Sequence, residues 1–586
     1  MAFTDLQSFL QLLEKEGELH RVTEQVDPEL EVTEIATRAV KEKLPALLFE
    51  NVKGANYPLV INSMATLRRI ELALGRPPEA LGEDIVRFVE DVNPPNLGSF
   101  WRNRKTGWRL MKIRPKTVRS AMVQEVVGKP RLDQLPILKC WPEDGGRFVT
   151  LPLVMSKDPK TGAGNMGMYR MQVYDQATTG MHMQIQKGGG FHYQNAEKMG
   201  QPLEMAVAVG GDPSLILAAI MPLPEGLDEV AFSGIVRGQR TPMVRAKSID
   251  MKVPAQAEFI FEGVLRPGVR RLEGPFGDHF GHYSAAGDHP VFEITRMANR
   301  KNAIYPATVV GRPPQEDRYL GDAAQLALTP LVRLIRREVK DMWAYYEAGF
   351  HNLLVVSVDA RYQREPIKTA LGILGDGQLS LTKNLILVGP DVNPRDYRQV
   401  MQAIRRNFDP EKDFHLIART AADTLDFTGE ALHKGSKMIL DATGSPINEG
   451  VPNAVALPGK ITAIASGISN YRLVGKTMLV VQTAGSGREV IKKLVENPLI
   501  GNVKIVVAVS EDVDIEDNEN LLWGIFTRFD AVLDVSFSSA EFRGLAPIYS
   551  GVMGIDATWK QGYQKPLVMD PEIIEKVDSK WSLYWK

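Results

Sequence analysis

Lys383-Asn-Leu-Ile-Leu-Val-Gly-Pro-Asp-Val-Asn-Pro-Arg-Asp396 reads as a short strand, a turn and a helix cap in immediate succession. A run of Leu, Ile and Val this short, bounded by Gly-Pro, suits a strand rather than a helix. The same order recurs in Lys504-Ile-Val-Val-Ala-Val-Ser-Glu-Asp-Val-Asp-Ile-Glu-Asp517. Asp391 and Asp512 lie 121 positions apart, and Asp396/Asp517, Phe408/Phe529 and Asp409/Asp530 share that offset. A duplicated βα unit explains the match. Independent convergence on good strand-and-cap chemistry would write the same string, and neither reading assigns a function.

Working outward, strands are expected at 353–358, 384–388, 414–418, 478–482, 503–509 and 531–535, with helical patterns between them. That alternation implies βαβ units and a C-terminal α/β domain, 326–586, with a mostly parallel sheet. Its last segment opens with Asp570-Pro571, an N-cap and N1 pair. Ile574, Val577 and Trp581 then share a helical face, with Tyr584 and Trp585 just beyond. Such a terminal helix needs cover, from its own C-terminal domain or from a neighbouring subunit.

Residues 116–325 have a different texture. Runs at 121–127, 172–174, 203–209, 257–262 and 291–295 are β-like and closely punctuated by Gly and Pro, as in a barrel or sandwich. Residues 1–115 read as a small α/β domain. Thr4 and Gln7 have capping-box spacing, Leu6, Phe9, Leu10 and Leu13 share a face, and Gly17 stops the helix. A second helix is expected from Asp27-Pro28, burying Leu30, Ile35 and Val40, with strands at 46–49 and 58–62.

Composition narrows the function. The 586 residues carry 70 Lys+Arg against 71 Asp+Glu, a net charge of -1, which disfavours a general nucleic-acid binder. Hydrophobic residues at 44% and charged residues at 24% exclude a mostly disordered chain. One cysteine, Cys140, excludes an intrachain disulfide framework and a multi-Cys zinc site. The apolar run 215–223 is too short to span a membrane, and the N-terminus lacks a secretory pattern, so a cytoplasmic protein is expected.

The densest chemistry lies in Glu273-Gly-Pro-Phe-Gly-Asp278-His-Phe-Gly-His282-Tyr283. Two carboxylates in unequal environments suit proton delivery, although an acidic solvated turn has the same composition. Asn165-Met-Gly-Met-Tyr169-Arg170 offers an arginine able to hold one of those carboxylates ionised and to clamp a substrate carboxylate. Glu229, after Met221-Pro-Leu-Pro, is an oxygen donor for a hard cation together with Asn165, or else a first-turn carboxylate on a helix. Thr483-Ala-Gly485-Ser-Gly487-Arg488 is either a phosphate-cradling turn or an ordinary βα turn. His182, His192, His351, His415 and His433 lack zincin spacing and read as structural or surface residues.

Together these stretches resemble the UbiD-type family of reversible decarboxylases. The ordered motifs are Asn165 to Arg170, Thr179-Gly-Met-His-Met-Gln-Ile-Gln186-Lys, Pro222-Leu-Pro-Glu-Gly-Leu-Asp-Glu229 through Gly234, Val253-Pro-Ala-Gln-Ala-Glu258, and Glu273 to Tyr283. The resemblance spans essentially the whole chain. It implies an N-terminal α/β domain, a central split β-barrel that binds flavin, and a C-terminal α/β domain used in oligomerisation. It also implies prenylated FMN as cofactor, with a divalent cation, usually Mn²⁺, and K⁺ bridging its phosphate to the protein. A flavin prenyltransferase would supply the cofactor, and a dimer or hexamer is the expected assembly.

Residue by residue, Arg170, Glu273 and Asp278 match the family's catalytic network, with Asp278 as the acid and Glu273 orienting Arg170. Asn165 and Glu229 match metal ligands, and Tyr169 lies in the same cofactor-binding motif. Met221 stands where backbone groups meet the phosphate or K⁺. The third metal ligand is usually histidine, and Gln186 stands in its place. Glutamine offers a carbonyl oxygen, a weaker donor that still suits Mn²⁺ or Mg²⁺. The resemblance therefore implies a carboxy-lyase acting on an aromatic, heteroaromatic or α,β-unsaturated acid and CO₂. The alternatives are a non-catalytic subunit of a larger carboxylase complex and a flavin oxidoreductase.

Overall fold

The computed structural model describes residues 3–92, 114–184, 188–221, 223, 228–445, 461–500 and 503–586. The chain forms two compact units, Met1–Leu328 with Pro566–Lys586, and Thr329–Lys565.

The first unit is built on a seven-stranded antiparallel sheet. Its order is Thr178–Gly180, Gly287–Asn299, Phe259–Glu273, Leu203–Val209, Pro152–Lys157 and Gly164–Gly167, with Val126–Gly128 also paired to Gly287–Asn299. Both faces are buried, which is why Leu203–Val209 reads as nearly continuous apolar sequence. Met205, Val207 and Val209 enter one core with Val154, Phe259 and Phe261. Ala206 and Ala208 enter another with Leu153, Met155 and Ile260. That is the period-two alternation of a strand sandwiched between layers. Among the described residues no strand pair closes this sheet into a barrel. The long pair Phe259–Glu273 and Gly287–Asn299 carries the turn bearing Asp278 between its ends.

A four-stranded sheet, Leu19–Val22, Ala46–Phe49, Leu59–Ile61 and Tyr305–Pro306, forms the N-terminal layer. Two helix starts there differ from expectation. Asp5, not Thr4, caps Leu6–Lys15: its carboxylate accepts the Ser8 N–H at 2.8 Å and Ser8 answers the Asp5 N–H. Gln7 is drawn away instead to Glu258 and the Asn302 carbonyl. The second helix, Glu31–Lys41, starts after Leu30 rather than at Asp27-Pro28, because Glu31 folds back to accept the Asp27 N–H at 2.8 Å.

The C-terminal helix Pro571–Tyr584 does not belong with 326–565. It packs on Glu31–Lys41 within the first unit, burying Val577 and Tyr584. Its anchor is Glu31, which accepts the Tyr584 hydroxyl at 2.7 Å and pairs with Lys576 at 2.8 Å. Trp585 stacks on His20. Burying a large side chain contributes about 1.5–3 kcal/mol, so these contacts hold the terminus firmly.

The second unit contains two five-stranded sheets of identical order. One runs Val339–Ala344, Leu353–Val358, Asn384–Val388, Lys434–Ala442, Phe414–Ala421. The other runs Ile468–Val474, Met478–Thr483, Ile505–Val509, Ala546–Ala557, Val535–Arg543. In both, parallel pairings occupy the centre and antiparallel strands the edges. The caps repeat as well. Asp396 and Asp517 accept the N–H of Arg398 and Glu519, while Asp441 and Asp556 each accept the N–H and hydroxyl of the threonine two residues on. Duplication accounts for shared strand order and shared caps together, where convergence on one string would not.

The expected strand 531–535 begins as a single helical turn, Ala531–Asp534, because Asp530 caps it through the Val532 and Leu533 N–H groups. The glycine turn at 485–487 opens the helix Gly487–Val495 against Asp556: a Cβ at Gly487 would collide with its Oδ1. A carboxylate already sits at that positive helix end, which disfavours phosphate there. Among the described residues no helix is long and apolar enough to cross a membrane.

Candidate active site

The site is assembled on the turn that follows Glu273, the last residue of the long strand Phe259–Glu273. Phe276–Gly277 pairs with Tyr283–Ser284, fixing Asp278 in a tight reversal. Gly277 packs so closely on Trp141 that a Cβ there would collide with the indole. Asp144 braces the same turn: one carboxylate oxygen accepts the Gly277 N–H at 2.7 Å, the other the N–H groups of Cys140 and Trp141. Burial pushes its carboxyl up to about 6, against the pull of those backbone bonds. Gln172 completes the brace through Gly274 N–H and the Gly145 carbonyl.

Arg170 lies between Gly164–Gly167 and Met171–Gln172, and it joins both expected carboxylates. Its Nε donates to Glu273 Oε1 at 3.2 Å, one terminal nitrogen meets Asp278 Oδ2, and the other donates to the Ser284 hydroxyl at 2.9 Å. The guanidinium covers the Phe276 ring at 4.6 Å. Glu273 and Asp278 are buried and Arg170 nearly so, with side-chain exposures of 0%, 12% and 9%. Burial pushes each carboxyl upward, but partners outweigh it. The His182 bond and the Arg170 charge hold Glu273 below its ordinary value. The His279 bond and the Arg170 charge hold Asp278 well below the usual carboxylate range.

Two histidines flank this network. His182 Nδ1 lies 3.0 Å from Glu273 Oε1, and its ring packs on His289 with centroids 4.4 Å apart. Burial, then the neighbouring His182, pushes His289 down to about 4. On the opposite side, His279 meets Asp278 Oδ1 through its backbone N–H at 2.8 Å and its ring Nδ1 at 2.9 Å.

Asn165, in the strand Gly164–Gly167, and Glu229, the first residue of the helix Glu229–Arg237, come together nearby. Glu229 Oε2 accepts the Met166 N–H at 2.9 Å, placing that carboxylate one residue from Asn165. Among the described residues, no hydrogen-bond partner is found for the buried Asn165 Nδ2. Tyr169 is buried beside them and its hydroxyl accepts the Gly189 N–H at 3.2 Å. Met221 ends the helix Pro213–Ile220, and its carbonyl accepts the Leu223 N–H at 2.8 Å. Gln186 lies outside the described residues. An amide oxygen and a carboxylate are hard donors, so Asn165 and Glu229 fit a Mn²⁺ or Mg²⁺ ion.

Sequence reading names Arg170, Glu273 and Asp278, and the fold brings them into contact. It reads His182 as a structural or surface residue and passes over Ser284 and Asp144. His182 has no local spacing signal, since its partner is 91 positions away. Asp144 carries a weak one: Trp141-Pro-Glu-Asp144-Gly-Gly146 is dense in turn residues. The assembled site offers a buried cation between two carboxylates, each with its own imidazole. Its chemistry suits binding of an acid at the arginine and proton transfer through a carboxyl.

Three adjoining families match the chain. The 3-octaprenyl-4-hydroxybenzoate carboxy-lyase N-terminal domain matches residues 10–89, its Rift-related domain 116–313, and its C-terminal domain 318–442 and 462–557. A Chlamydia pneumoniae protein, named as one of the subunits of a 4-hydroxybenzoate decarboxylase, is 37% identical over 582 residues, covering 99% of this chain and 98% of its own. An Archaeoglobus fulgidus relative without an assigned function is 42% identical over 483 residues, covering 81% of this chain and all of its own. Among solved structures, the vanillic acid decarboxylase of Sedimentibacter hydroxybenzoicus aligns with a TM-score of 0.68 at 27% identity, over 78% of this chain and 96% of that one. The UbiD-class enzyme HmfF from Pelotomaculum thermopropionicum, in complex with FMN, aligns at 0.65 and 25%, over 79% and 99%.

Proposed function

Because the chain belongs to the UbiD family of carboxy-lyases, we propose that it is a reversible, non-oxidative decarboxylase of an aromatic, heteroaromatic or α,β-unsaturated acid. The observation that carries this reading is Arg170, buried and shared between Glu273 and Asp278. Glu273 fixes the guanidinium so that it faces an incoming substrate carboxylate. Asp278 gives its proton to the carbon that loses CO₂. The electron sink for breaking that carbon–carbon bond comes from bound prenylated FMN. Asn165 and Glu229 would hold a divalent cation, Mn²⁺ in the first instance, that helps to bind the cofactor. Gln186 would be the third ligand, with Tyr169 part of the same cofactor-binding stretch and Met221 offering a backbone oxygen for K⁺.

A flavin prenyltransferase supplies the cofactor, and the active form is a homo-oligomer, dimer or hexamer. Hydroxylated benzoates are the first substrates to try, given the names of the chlamydial and Sedimentibacter proteins. The test is direct. Protein co-expressed with a flavin prenyltransferase should release CO₂ from 4-hydroxybenzoate or vanillate and incorporate ¹³C-bicarbonate into the recovered acid. A preparation that binds prenylated FMN yet exchanges no carboxyl carbon with any acid of these classes would overturn the proposal.

A further inference from the structure

We propose that His279 is the port through which Asp278 regains the proton that each decarboxylation consumes. The proposal rests on the reading of Asp278 as the acid. The problem it answers is visible in the geometry: the carboxyl that must give a proton is held ionised, one oxygen by Arg170 and the other by His279. Arginine does not release a proton in proteins, so of these two partners only the imidazole can deliver one.

The two ends of the network are built alike but differ in access. At one end Glu273 is fully buried, and its histidine, His182, has 15% of its side chain exposed. That ring packs on a second imidazole, His289, rather than opening to solvent on that side. At the other end His279 has 27% of its side chain exposed and sits directly on Asp278. Its backbone N–H bonds the same Oδ1 as its ring, so ring and carboxylate are held in register within one residue. The ring also meets Phe280 edge-on.

The proton balance is simple. The Asp278 O–H bond breaks as the new C–H bond forms, leaving a carboxylate. The Nδ1 proton of the His279 imidazolium passes to Oδ1 along the 2.9 Å contact. The neutral imidazole then takes a proton from a buffer acid or hydronium in solvent. One proton enters per CO₂ released, and none is created or lost. His279 touches no reacting atom; it is a positioning residue that also carries the proton.

A purely structural His279 would only orient Asp278, and the test separates the two roles. His279→Asn keeps an N–H donor but cannot relay; His279→Ala removes both, and His279→Gln guards against a folding defect in either. In the holoenzyme, all three should slow net decarboxylation of 4-hydroxybenzoate or vanillate, whichever is turned over, by about 10- to 100-fold. Added imidazole should restore His279→Ala in a concentration-dependent way. Exchange of ¹³C-bicarbonate into the acid should stay near wild type, because exchange consumes no proton. Wild-type turnover in His279→Asn would overturn the relay. So would a loss in His279→Ala that extends to exchange and ignores imidazole. If instead Asp278→Asn turns over normally, the acid assignment itself fails, an outcome distinct from failure of the relay alone.

Discussion

Carboxylates in the two units do different things. In Thr329–Lys565, Asp396, Asp409, Asp517 and Asp530 each accept N–H groups from residues just downstream, so each is a local cap. In the first unit Asp278 and Glu273 bond a side chain 108 and 103 positions away, and that side chain is one arginine shared by both. A cap is satisfied by backbone that cannot leave. A shared arginine can be claimed by a third carboxylate, the substrate's, and that opens the pair to chemistry. A carboxyl group therefore serves structure where its partner is fixed and is open to mechanism where its partner is contested.

The contrast can be broken from either side. Asp278→Asn should lower steady-state decarboxylation by about 10²–10⁴-fold with flavin content unchanged; comparable turnover in a standard CO₂-release assay would move the acid elsewhere. Arg170→Ala strands two buried carboxylates together. Removing one partner of a buried pair costs about 3–5 kcal/mol, so denaturant unfolding should show that loss alongside lost substrate affinity. An Arg170→Ala protein of wild-type stability would mean the carboxylates are held by their histidines alone.

Truncation after Met569 leaves Glu31 without Lys576 and Tyr584. A drop of about 3 kcal/mol is expected, from one stranded buried acceptor and one lost aromatic burial. Because the helix packs within its own unit, the loss should appear in melting temperature rather than as a smaller mass in light scattering. The smallest effect belongs to the caps. Asp530→Ala should cost about 2 kcal/mol and Asp409→Ala about 1 kcal/mol, at the upper end and middle of the capping range. Asp530 also binds Ser436 through both N–H and hydroxyl, whereas Asp409 adds only an exposed lysine. Neither change should alter turnover per folded molecule; a cap variant that lost activity while still folded would blur the distinction.

The same contrast explains what could be read without coordinates. Strands Leu353–Val358 and Asn384–Val388 were legible to the residue because apolar runs and their stops are local. So was the 121-residue repeat, since both halves keep the same cap chemistry. Ala531–Asp534 misled because Ala-Val-Leu suits either a strand or a capped turn, and Asp530 decides it. Thr4 and Asp5 are both competent caps, and the long-range demand on Gln7 selects between them. Glu273 and Asp278 stood out by local composition and Arg170 as a partner for one of them, but their assignment as one network came from resemblance, because no spacing rule joins residues a hundred positions apart. For that reason His182 reads as structural or surface in the sequence and Asp144 is passed over, their partners being 91 and 133 positions away.

The claim that Asp278 returns the proton, rather than helping to break the carbon–carbon bond, is tested most directly by isotope exchange in Asp278→Asn. Holoprotein carrying this substitution would be incubated with 4-hydroxybenzoate or vanillate, whichever the wild type turns over, and ¹³C-bicarbonate. Label should enter the carboxyl group of the recovered acid at close to the wild-type rate while almost no decarboxylated product forms. Product forming at the wild-type rate, or exchange lost together with product while the flavin stays bound, would contradict the account.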